Sequence, residues 1–280
     1  MSGIDGQLQA LINKIRDSDY ILVVVGAGLS RPSGIPTFRE DHWFWNGPIE
    51  EIATTAAFYR DATAVWMLYE RLRRLSLQSR PNDGHLALAR LARAKPALLT
   101  VSQNIDGTWS AVALVSSHRS HLATDLLQRA GHARAQLVPL HGSLYEAACS
   151  RLDCSFQCSN FGQVVKSKPT SPSSVELACC PRCGHTLRPA VCWFGEVLPH
   201  LARLQVDNWF ASVPRVDLAL VLGTDRFPFV HEAIAKGAEV AYFNFFEQDL
   251  EDTGDAWLVD GDLASTLPLI VHAVLDRRQE

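Results

Sequence analysis

Four cysteines have the spacing of ligands for a structural metal ion. Cys149 and Cys154 are separated by four residues, and Cys180 and Cys183 by two. When two such thiolate pairs come together across a loop, they form a tetrahedral zinc site. Four thiolates leave no open coordination position, so the sequence predicts a zinc ion that stabilises the fold and takes no part in the chemistry.

Two other cysteines leave the choice of ligands open. Cys158 is an alternative in the first pair and Cys179 in the second, although Cys-Pro-Arg-Cys-Gly resembles a zinc knuckle and favours Cys180. The N-terminal residues show neither a secretory signal nor a transit peptide. We therefore expect an intracellular protein, in cytoplasm, nucleus or mitochondrion, whose clustered cysteines bind metal instead of forming disulfides.

A glycine-rich turn follows the first strongly apolar segment, Tyr20 to Val25. This β-branched run predicts a strand buried on both faces. Gly26-Ala27-Gly28 comes next, and the missing Cβ atoms would let the backbone approach a pyrophosphate. Gly-Ala-Gly alone is as typical of an ordinary turn between a strand and a helix as it is of a phosphate-binding turn. The continuation, which ends in Thr37-Phe38-Arg39, is more specific because it adds an aromatic ring and a cation beyond the turn.

A second polar sequence, Ser102-Gln103-Asn104-Ile105-Asp106-Gly107, follows the predicted strand Leu98–Val101. It lies at the carboxyl end of a strand, where open α/β sheets bind ligands. Two side-chain amides and a carboxylate in close succession suit a carboxamide and ribose hydroxyl groups. A polar loop with an Asx turn is the ordinary alternative.

A histidine and an aromatic strand complete the candidate site. His141 ends an apolar run and precedes Gly142, so its ring can face a cleft and act as a general base. A lone histidine is nevertheless more often structural than catalytic. Residues 191–196, Val-Cys-Trp-Phe-Gly-Glu, form either a core strand or an exposed edge that pairs with an extended peptide.

The segments that carry these residues predict an α/β fold, with a Rossmann-like parallel sheet and helices on both of its faces. Apolar runs recur at 217–223 and 239–245, helical patterns such as 85–95 lie between the strands, and Asp262 is a plausible N-cap of the last helix. Two excursions interrupt the alternation and predict a smaller domain with a helical and a zinc module. The predicted large domain comprises residues 1–39, 85–142 and 189–280, and the small domain 40–84 and 143–188.

The composition indicates which classes of partner to expect. The formal net charge of −4 gives no reason to expect nucleic-acid binding. The apolar runs are strand-sized, so we expect no membrane span, and nothing specifies an oligomeric state. An ordinary dehydrogenase is disfavoured, because the full Gly-x-Gly-x-x-Gly fingerprint is absent.

The sequence resembles the sirtuins over roughly residues 7–268. The resemblance rests on the order and spacing of the glycine segment, Gln-Asn-Ile-Asp, Leu-His-Gly, the paired cysteines and Trp-Phe-Gly-Glu. Pro-Thr-Phe-Arg and the first cysteine pair look most like the fungal and bacterial-type branch that includes mitochondrial desuccinylases. The resemblance implies that NAD and an acylated lysine of a protein meet between a Rossmann domain and a zinc domain. The implied products are nicotinamide, O-acyl-ADP-ribose and free lysine.

The resemblance also implies roles for single residues. His141 would be the general base, acting with Asn104 and Asp106 as the catalytic set. The residues expected at the cofactor are Gly26, Ala27, Gly28, Ser30, Thr37, Phe38, Arg39, Gln103, Asn104, Ile105, Asp106, Gly223, Thr224, Asp225, Asn244 and Leu263. The residues expected at the acyl-lysine peptide are Tyr69, Arg73, Val191, Trp193, Phe194 and Gly195.

The sequence departs from the family pattern in four places. One lies near the expected adenine site, where the family's late Gly-Pro-Cys corresponds to Gly261-Asp262-Leu263. Residues 108–125 have no counterpart and are interpreted as an insertion, either an unspliced intron of the gene or a real excursion that covers or obstructs the site. Asp225 replaces a serine and would repel cofactor phosphates. Leu72 replaces the arginine that grips acidic acyl groups, with Arg73 as a neighbouring substitute. The alternatives to a deacylase are an impaired NAD- or ADP-ribose-binding module and a mono-ADP-ribosyltransferase.

Overall fold

The computed structural model describes residues 6–37, 49–106, 125–159, 165–167, 175–224, 228–243 and 256–276. The strands are β1 (Ile21–Val25), β2 (Leu99–Ser102), β3 (Leu137–Pro139), β4 (Gly142–Cys149), β5 (Gln157–Cys158), β6 (Val165–Ser167), β7 (Val175–Leu177), β8 (Leu187–Val191), β9 (Leu218–Leu222), β10 (Glu239–Phe243) and β11 (Trp257–Val259). The helices are α1 (Gly6–Asp17), α2 (Ile49–Ile52), α3 (Thr55–Arg60), α4 (Ala62–Gln78), α5 (Asp83–Ala94), α6 (Leu126–Arg129), α7 (His200–Ser212), α8 (Val230–Ala235) and α9 (Leu263–Leu275).

The main sheet has six strands in the order β11-β10-β9-β1-β2-β3, and all its pairings are parallel. The predicted Rossmann-like sheet is therefore confirmed. Every residue of β1 and β9 is buried, as expected of strands covered on both faces. The strand order reverses between β1 and β9. In open α/β sheets, that reversal opens a crevice at the carboxyl ends of the strands.

Helices cover both faces of this sheet. On one face, α1, α5 and α9 share a core cluster that includes Leu11, Leu91 and Ile270. On the other face, α7 and α8 contribute Val206 and Val230 to a second cluster. The predicted N-cap of the last helix is present, because the Asp262 side chain accepts a hydrogen bond from the Ala264 amide at 2.6 Å. The helical packing fixes the sheet from which the site residues emerge.

The two predicted excursions pack against each other. Helices α2 to α4 share a core cluster with β4 and β8, in which Phe58 lies against Trp193. The indole of Trp66 donates to the Leu187 carbonyl oxygen at 2.8 Å. The helical and zinc modules thus form one packed unit beside the sheet, while the exact domain boundaries stay a prediction.

The helical module is divided where capping residues occur. Thr54 accepts a hydrogen bond from the Ala57 amide at 3.0 Å, and Asp61 from the Ala64 amide at 2.9 Å. Each of these side chains satisfies an amide at a helix start, which explains why the predicted helical stretch begins anew at α3 and at α4. No helix among the described residues combines the length and the apolar character that crossing a membrane requires.

Candidate active site

The glycine turn after β1 touches the end of β9 through backbone atoms. The Gly28 amide donates to the Gly223 carbonyl oxygen at 2.9 Å. A Cβ atom at Gly26 would lie 2.4 Å from Thr224 Cβ, and one at Gly28 would lie 2.7 Å from Gly223 Cα. Gly223 itself has a φ of +61°, which side chains rarely tolerate. The glycines are therefore needed for this contact, in addition to any approach of a phosphate.

Leu263 supports the same turn from behind. Its side chain is completely buried in the core cluster, and its Cδ1 would lie 2.9 Å from a Cβ atom at Gly223. In the described structure, this side chain packs beneath the crevice floor and does not line the surface of the crevice. The predicted contact of Leu263 with a cofactor remains a prediction.

Asn82 fixes the loop that continues from the glycine turn toward Thr37. Its side-chain amide donates to the Leu29 carbonyl oxygen at 2.8 Å and to Ser33 Oγ at 3.0 Å. The same side chain forms a capping box with His85 at the start of α5. We did not predict this anchor. The sequence Asn-Asp-Gly-His before an apolar helix is the signal that could have revealed it.

The loop after β2 is joined to both sides of the crevice. The Gln103 side chain donates to Thr224 Oγ1 at 3.0 Å. The Asn104 side chain donates to the Gly26 carbonyl oxygen, also at 3.0 Å. The structure thus brings the predicted amide residues to the ends of β1 and β9.

A chain of hydrogen bonds leads from His85 to Asp106. The Asn82 amide lies 3.3 Å from His85 Nδ1, so this nitrogen accepts and the ring proton lies on Nε2, which is 3.4 Å from Ser30 Oγ. The Ser30 hydroxyl donates to Asp106 Oδ2 at 2.7 Å, and Asn104 donates to Ser30 Oγ at 3.2 Å. Burial, aided by the charge of Arg129, lowers the pKa of His85 to about 3, which keeps its ring neutral.

Asp106 is buried with one oxygen poorly satisfied. Burial raises its pKa to about 6, although the hydrogen bond from Ser30 opposes the shift. Its Oδ1 accepts no hydrogen bond from an amide or a hydroxyl group of the described residues. Such an oxygen is costly unless a ligand supplies a donor. The carboxamide N–H of a nicotinamide ring has the required chemistry, so this pocket fits NAD as a co-substrate.

His141 lies beside the same loop. Its Nδ1 is 3.0 Å from the Gln103 carbonyl oxygen, which requires the proton on Nδ1 and leaves the basic lone pair of the neutral ring on Nε2. The Leu144 amide donates to the Ile105 carbonyl oxygen at 2.9 Å. The segment of the predicted base and the segment of the predicted amide and acid residues therefore run side by side.

The Trp-Phe-Gly-Glu turn is held by an internal ion pair. The Arg188 guanidinium donates to Glu196 at 2.8 Å and stacks on the Trp193 ring at 3.5 Å. Glu196 also accepts from the Trp193 amide at 2.9 Å, and the Phe194 amide donates to the Ala53 carbonyl oxygen at 3.0 Å. The pairing of β8 with β4 at Val191, and Gly195 with its φ of +84°, complete a rigid edge of the crevice.

The residues predicted to meet the acyl group lie on α4. Tyr69 and Leu72 are buried, and the Tyr69 ring packs 6.5 Å from the Trp193 ring, measured between centroids. Burial raises the pKa of the Tyr69 phenol above its ordinary value. Arg73 donates to both carboxylate oxygens of Glu70, at 2.7 and 2.9 Å. The Arg74 side chain also donates to Glu70 Oε1 at 2.7 Å, so Arg73 is engaged on its own helix by a carboxylate that it shares with Arg74.

The structure brings four of the cysteines together. The Sγ atoms of Cys149, Cys154, Cys180 and Cys183 all lie within 4.8 Å of one another. Tetrahedral coordination at about 2.3 Å places sulfur atoms roughly 3.8 Å apart, so this cluster is positioned to bind a structural metal ion. Cys179 is exposed and lies outside the cluster, as does Cys158.

Some predicted positions lie outside the described residues. They are Phe38, Arg39, Asp225, Asn244 and residues 108–124 of the interpreted insertion. Asp125, the last residue of that insertion, is described and buried.

The sequence profile of the Sir2 family matches residues 26–121 and 122–227. The chain belongs to the Sir2 family. The two matched segments meet within the interpreted insertion. The resemblance to sirtuins is thereby confirmed, while the assignment to a branch stays a prediction.

Named relatives and solved structures agree with Sir2 membership. An NAD-dependent protein deacylase of Candida albicans is 32% identical over 307 residues, which cover 91% of this chain and 94% of the relative. One of Thermococcus sibiricus is 32% identical and covers 95% of this chain and 96% of the relative. A Sir2 homologue in complex with NAD is 28% identical, with a TM-score of 0.74 and coverage of 95% and 93%. A Sir2 variant in complex with 2′-O-acetyl ADP ribose is 29% identical, with a TM-score of 0.75 and coverage of 95% and 96%.

The neutral His85 makes the stability of this Sir2-family protein sensitive to acid. Its pKa is about 3 in the folded protein and ordinarily 6.5, so between these values the unfolded chain binds a proton that the folded protein excludes. Stability is therefore full above about pH 6.5 and falls as the pH decreases. We expect His85 alone to lower the free energy of unfolding by roughly 2 kcal/mol at about pH 5.

Urea unfolding at several pH values, compared between the wild type and His85→Gln, measures this slope. The variant should show a flatter dependence on pH whatever its absolute stability. His272→Gln is the matched control, because the His272 side chain is 70% exposed. Equal slopes for the wild type and His85→Gln would contradict the assignment of a buried, neutral ring.

Proposed function

We propose that this protein is an NAD-dependent protein-lysine deacylase. The observation that carries the proposal is the buried polar site at the strand-order reversal, where Ser30, Asn104 and Asp106 are linked and Asp106 Oδ1 accepts from no donor of the described residues. Similarity to relatives that are named NAD-dependent protein deacylases supports it. So does similarity to Sir2 homologues solved with NAD and with an acetylated ADP-ribose.

Separate residues of the crevice bind nicotinamide, bind the ribose and accept a proton. Asp106 accepts the carboxamide of nicotinamide, and Asn104 supports the adjoining ribose. Their positions are set by hydrogen bonds to the glycine turn, so the site is organised before ligands bind. His141 accepts a proton at Nε2 from a ribose hydroxyl, since its Nδ1 proton is engaged by the Gln103 carbonyl oxygen.

The overall reaction uses NAD and water as co-substrates. The acyl oxygen of the lysine attacks C1′ of the ribose, the bond to nicotinamide breaks, and nicotinamide leaves with the bonding electrons. The activated ribose hydroxyl then attacks the acyl carbon. Addition of water and departure of the lysine amine leave O-acyl-ADP-ribose. The edge formed by Val191, Trp193, Phe194 and Gly195 borders the space for the acylated peptide, with Tyr69 behind it.

Nicotinamide release tests this proposal. With NAD and an acetylated peptide, the wild type should produce nicotinamide, free lysine and O-acetyl-ADP-ribose in equal amounts, measured by mass spectrometry. His141→Ala should lower kcat/KM by about a hundredfold or more, because it removes the proposed general base. His272→Ala, on the exposed side of α9, is the control.

Other outcomes identify the alternatives. Nicotinamide release with transfer of ADP-ribose to protein, and without deacylation, would indicate a mono-ADP-ribosyltransferase. Binding of ADP-ribose without nicotinamide release would indicate an impaired binding module, as expected if residues 108–124 obstruct the site or Asp225 repels the cofactor.

We propose further that the enzyme prefers uncharged acyl groups. A succinyl carboxylate beside buried Tyr69 and Leu72 would lose hydration, while the Arg73 guanidinium is held by the Glu70 carboxylate on its own helix. We expect kcat/KM for an acetyl peptide to exceed that for a succinyl peptide by at least about tenfold. Leu72→Arg should shift this ratio toward succinyl, whereas Leu72→Met should not.

The variant Arg73→Met distinguishes selectivity that is set by Leu72 from selectivity that is set by Arg73. If Arg73 reaches the acyl group, the wild type prefers the succinyl peptide and the variant loses that preference. A ratio that Arg73→Met leaves within about twofold would support the role of Leu72.

We propose that Cys149, Cys154, Cys180 and Cys183 hold a structural zinc ion. When bound, the ion joins the turns that carry the two cysteine pairs and supplies no chemistry to the reaction. Because metal binding adds to folding free energy, a strong chelator or Cys180→Ser should lower the free energy of unfolding by at least about 3 kcal/mol. Cys179→Ser, at an exposed neighbouring thiol, should keep its zinc in elemental analysis. If Cys179→Ser lost its zinc and Cys180→Ser kept it, Cys179 would be the fourth ligand in place of Cys180.

A further inference from the structure

A cavity of about 440 Å³ lies against the small sheet that β4, β5 and β8 form. Glu146 and Ala148 of β4 line this cavity, together with Arg188 and Ala190 of β8. Residues two apart along a strand share one face of a sheet, and Tyr145, between the two β4 residues, belongs to the core cluster shared with α4. The cavity, here named the Glu146 cavity, is therefore on the outer face of the sheet. Its volume is within the range of roughly 300–1,000 Å³ that small-molecule sites have.

Glu146 is the buried acid of this cavity. The residue is only 3% exposed. Its Oε2 accepts a hydrogen bond from Gln157 Nε2 at 3.0 Å, so this partner of the carboxyl group is a neutral amide. Burial raises the pKa of Glu146 to about 7, although the hydrogen bond from Gln157 and the charge of Arg134 oppose the shift. A buried carboxylate of this kind is stabilised most by a ligand that brings a positive charge.

The charged groups around Glu146 leave its negative charge available to a ligand. The Arg188 guanidinium donates to the Glu196 carboxylate at 2.8 Å, so these two opposite charges at the cavity cancel. Burial raises the pKa of the Cys192 thiol, which keeps this lining group neutral near neutral pH. Arg134 favours the ionised form of Glu146 through its charge, but it is not one of the residues that line the cavity. The cavity therefore offers one net negative charge when Glu146 is ionised.

Apolar side chains form much of the remaining wall. Ala148, Ala190 and Ala202 line the cavity, and Val197 and Leu201 lie at its rim, where they are 93% and 58% exposed. Exposed apolar side chains next to a cavity are typical of a binding site. A buried carboxylate behind an apolar rim is complementary to a cation on a short aliphatic chain. The chain contacts the rim while the cation reaches the carboxylate.

We propose that the Glu146 cavity binds an ammonium or guanidinium group at the end of a short aliphatic chain, with the Glu146 carboxylate as its partner. Two sources have this chemistry. One is a lysine or arginine side chain that flanks the acylated lysine of the peptide substrate, and the other is a free alkylamine. Val191 and Glu196 line the cavity and also belong to the edge proposed for the peptide, so the first source has access from that edge. Only this first source rests on the proposed function.

Titration calorimetry with two small probes tests the cavity directly. The probes are n-butylguanidinium and n-butylurea, which have nearly the same shape but differ in charge. The wild type should bind the guanidinium probe at least about tenfold more tightly than the urea. Glu146→Gln should remove this difference, because the amide keeps the shape of the side chain and loses its charge. Glu232→Gln, with a side chain that is 45% exposed on α8, is the matched control.

A second variant tests the location without a change of charge. In Ala190→Leu, the larger side chain occupies space in the cavity, so the affinity for n-butylguanidinium should fall by about tenfold. Thermal unfolding confirms that each variant is folded. Equal affinities for the two probes in the wild type would overturn the proposal, as would an unchanged preference in Glu146→Gln. Wild-type affinity in Ala190→Leu would place the guanidinium outside the cavity and would overturn it as well.

The carboxyl group of Glu146 also predicts the sign of a pH dependence. Affinity for n-butylguanidinium should rise between about pH 6 and about pH 8, because Glu146 becomes ionised there. The pKa of Glu196 is lowered in spite of burial, chiefly through its hydrogen bond with Arg188, so this carboxylate stays ionised throughout. His200, an exposed residue of the wall, would repel the cation when protonated. The pH dependence should therefore persist in His200→Gln and disappear in Glu146→Gln, and the opposite pattern would contradict the role of Glu146.

Peptides distinguish the two sources. Acetyl-lysine peptides with arginine at one flanking position are compared with the same peptides carrying citrulline, its uncharged analogue. If the substrate is the source, arginine at one position should lower KM by about fivefold, and Glu146→Gln or added n-butylguanidinium should abolish the advantage. If the probe binds at Glu146 and no position shows an advantage, the source is a free amine.

Probe binding needs neither NAD nor turnover, which keeps this test separate from that of the proposed function. If n-butylguanidinium binds through Glu146 but no nicotinamide is released, the deacylase assignment fails and the cation site stands. If the protein deacylates peptides but neither the probe nor an arginine peptide depends on Glu146, the cation site fails and the proposed function stands.

Discussion

The carboxyl ends of β1 and β9 meet through main-chain atoms, and this contact forms the floor of the crevice that the strand-order reversal opens. The amides and carbonyl groups of Gly26, Gly28 and Gly223 approach so closely that a single methyl group on this floor would overlap backbone. Contacts of this kind cannot be relaxed by a change of rotamer. The chain must therefore turn sharply after each strand, which directs the loops that bear Ser30 and Thr224 into the same space.

Within that space, burial decides the charge of each group. His85 is neutral because it is desolvated, and its proton is then available to Ser30. The Ser30 hydroxyl turns its own proton to Asp106, which stays ionised near neutral pH in spite of burial. Each partner settles the donor or acceptor role of the next, so the network ends in one defined charge. An isolated aspartate at the same depth would be protonated instead.

Much of this arrangement could be predicted from the sequence, and the part that could not has a physical reason. Continuous apolar residues followed by glycine predict the strand at 21–25 and the turn at Gly26. Their spacing predicts the cysteine pairs, while the distances between the Sγ atoms place Cys180, and not Cys179, in the cluster. The capping role of Asn82 has a signal in the sequence, but its contact with the Leu29 carbonyl oxygen, 53 residues away, has none.

The Leu72 position shows a different limit. A residue pattern places Arg73 next to the expected arginine, but only the structure shows that Glu70 already binds its guanidinium. A charge is useful to a substrate only if its own protein leaves it uncompensated, and periodicity alone does not report that. The same reasoning applies to Leu263, whose position in the sequence suggests a cofactor contact and whose side chain is needed by the core.

Strand β4 is one of the links between the small packed unit and the crevice. β4 begins at Gly142, directly after His141, and ends at Cys149, a member of the cysteine cluster. Near its start, the Leu144 amide is bonded to Ile105, and the Cys192 amide is bonded to the His141 carbonyl oxygen. A metal ion at the far end of β4 and β8 would hold their register, and their register sets where the imidazole lies relative to residues 103–106. The cysteine cluster therefore contributes to chemistry only by geometry, because a strand that is fixed at one end leaves little freedom at the other.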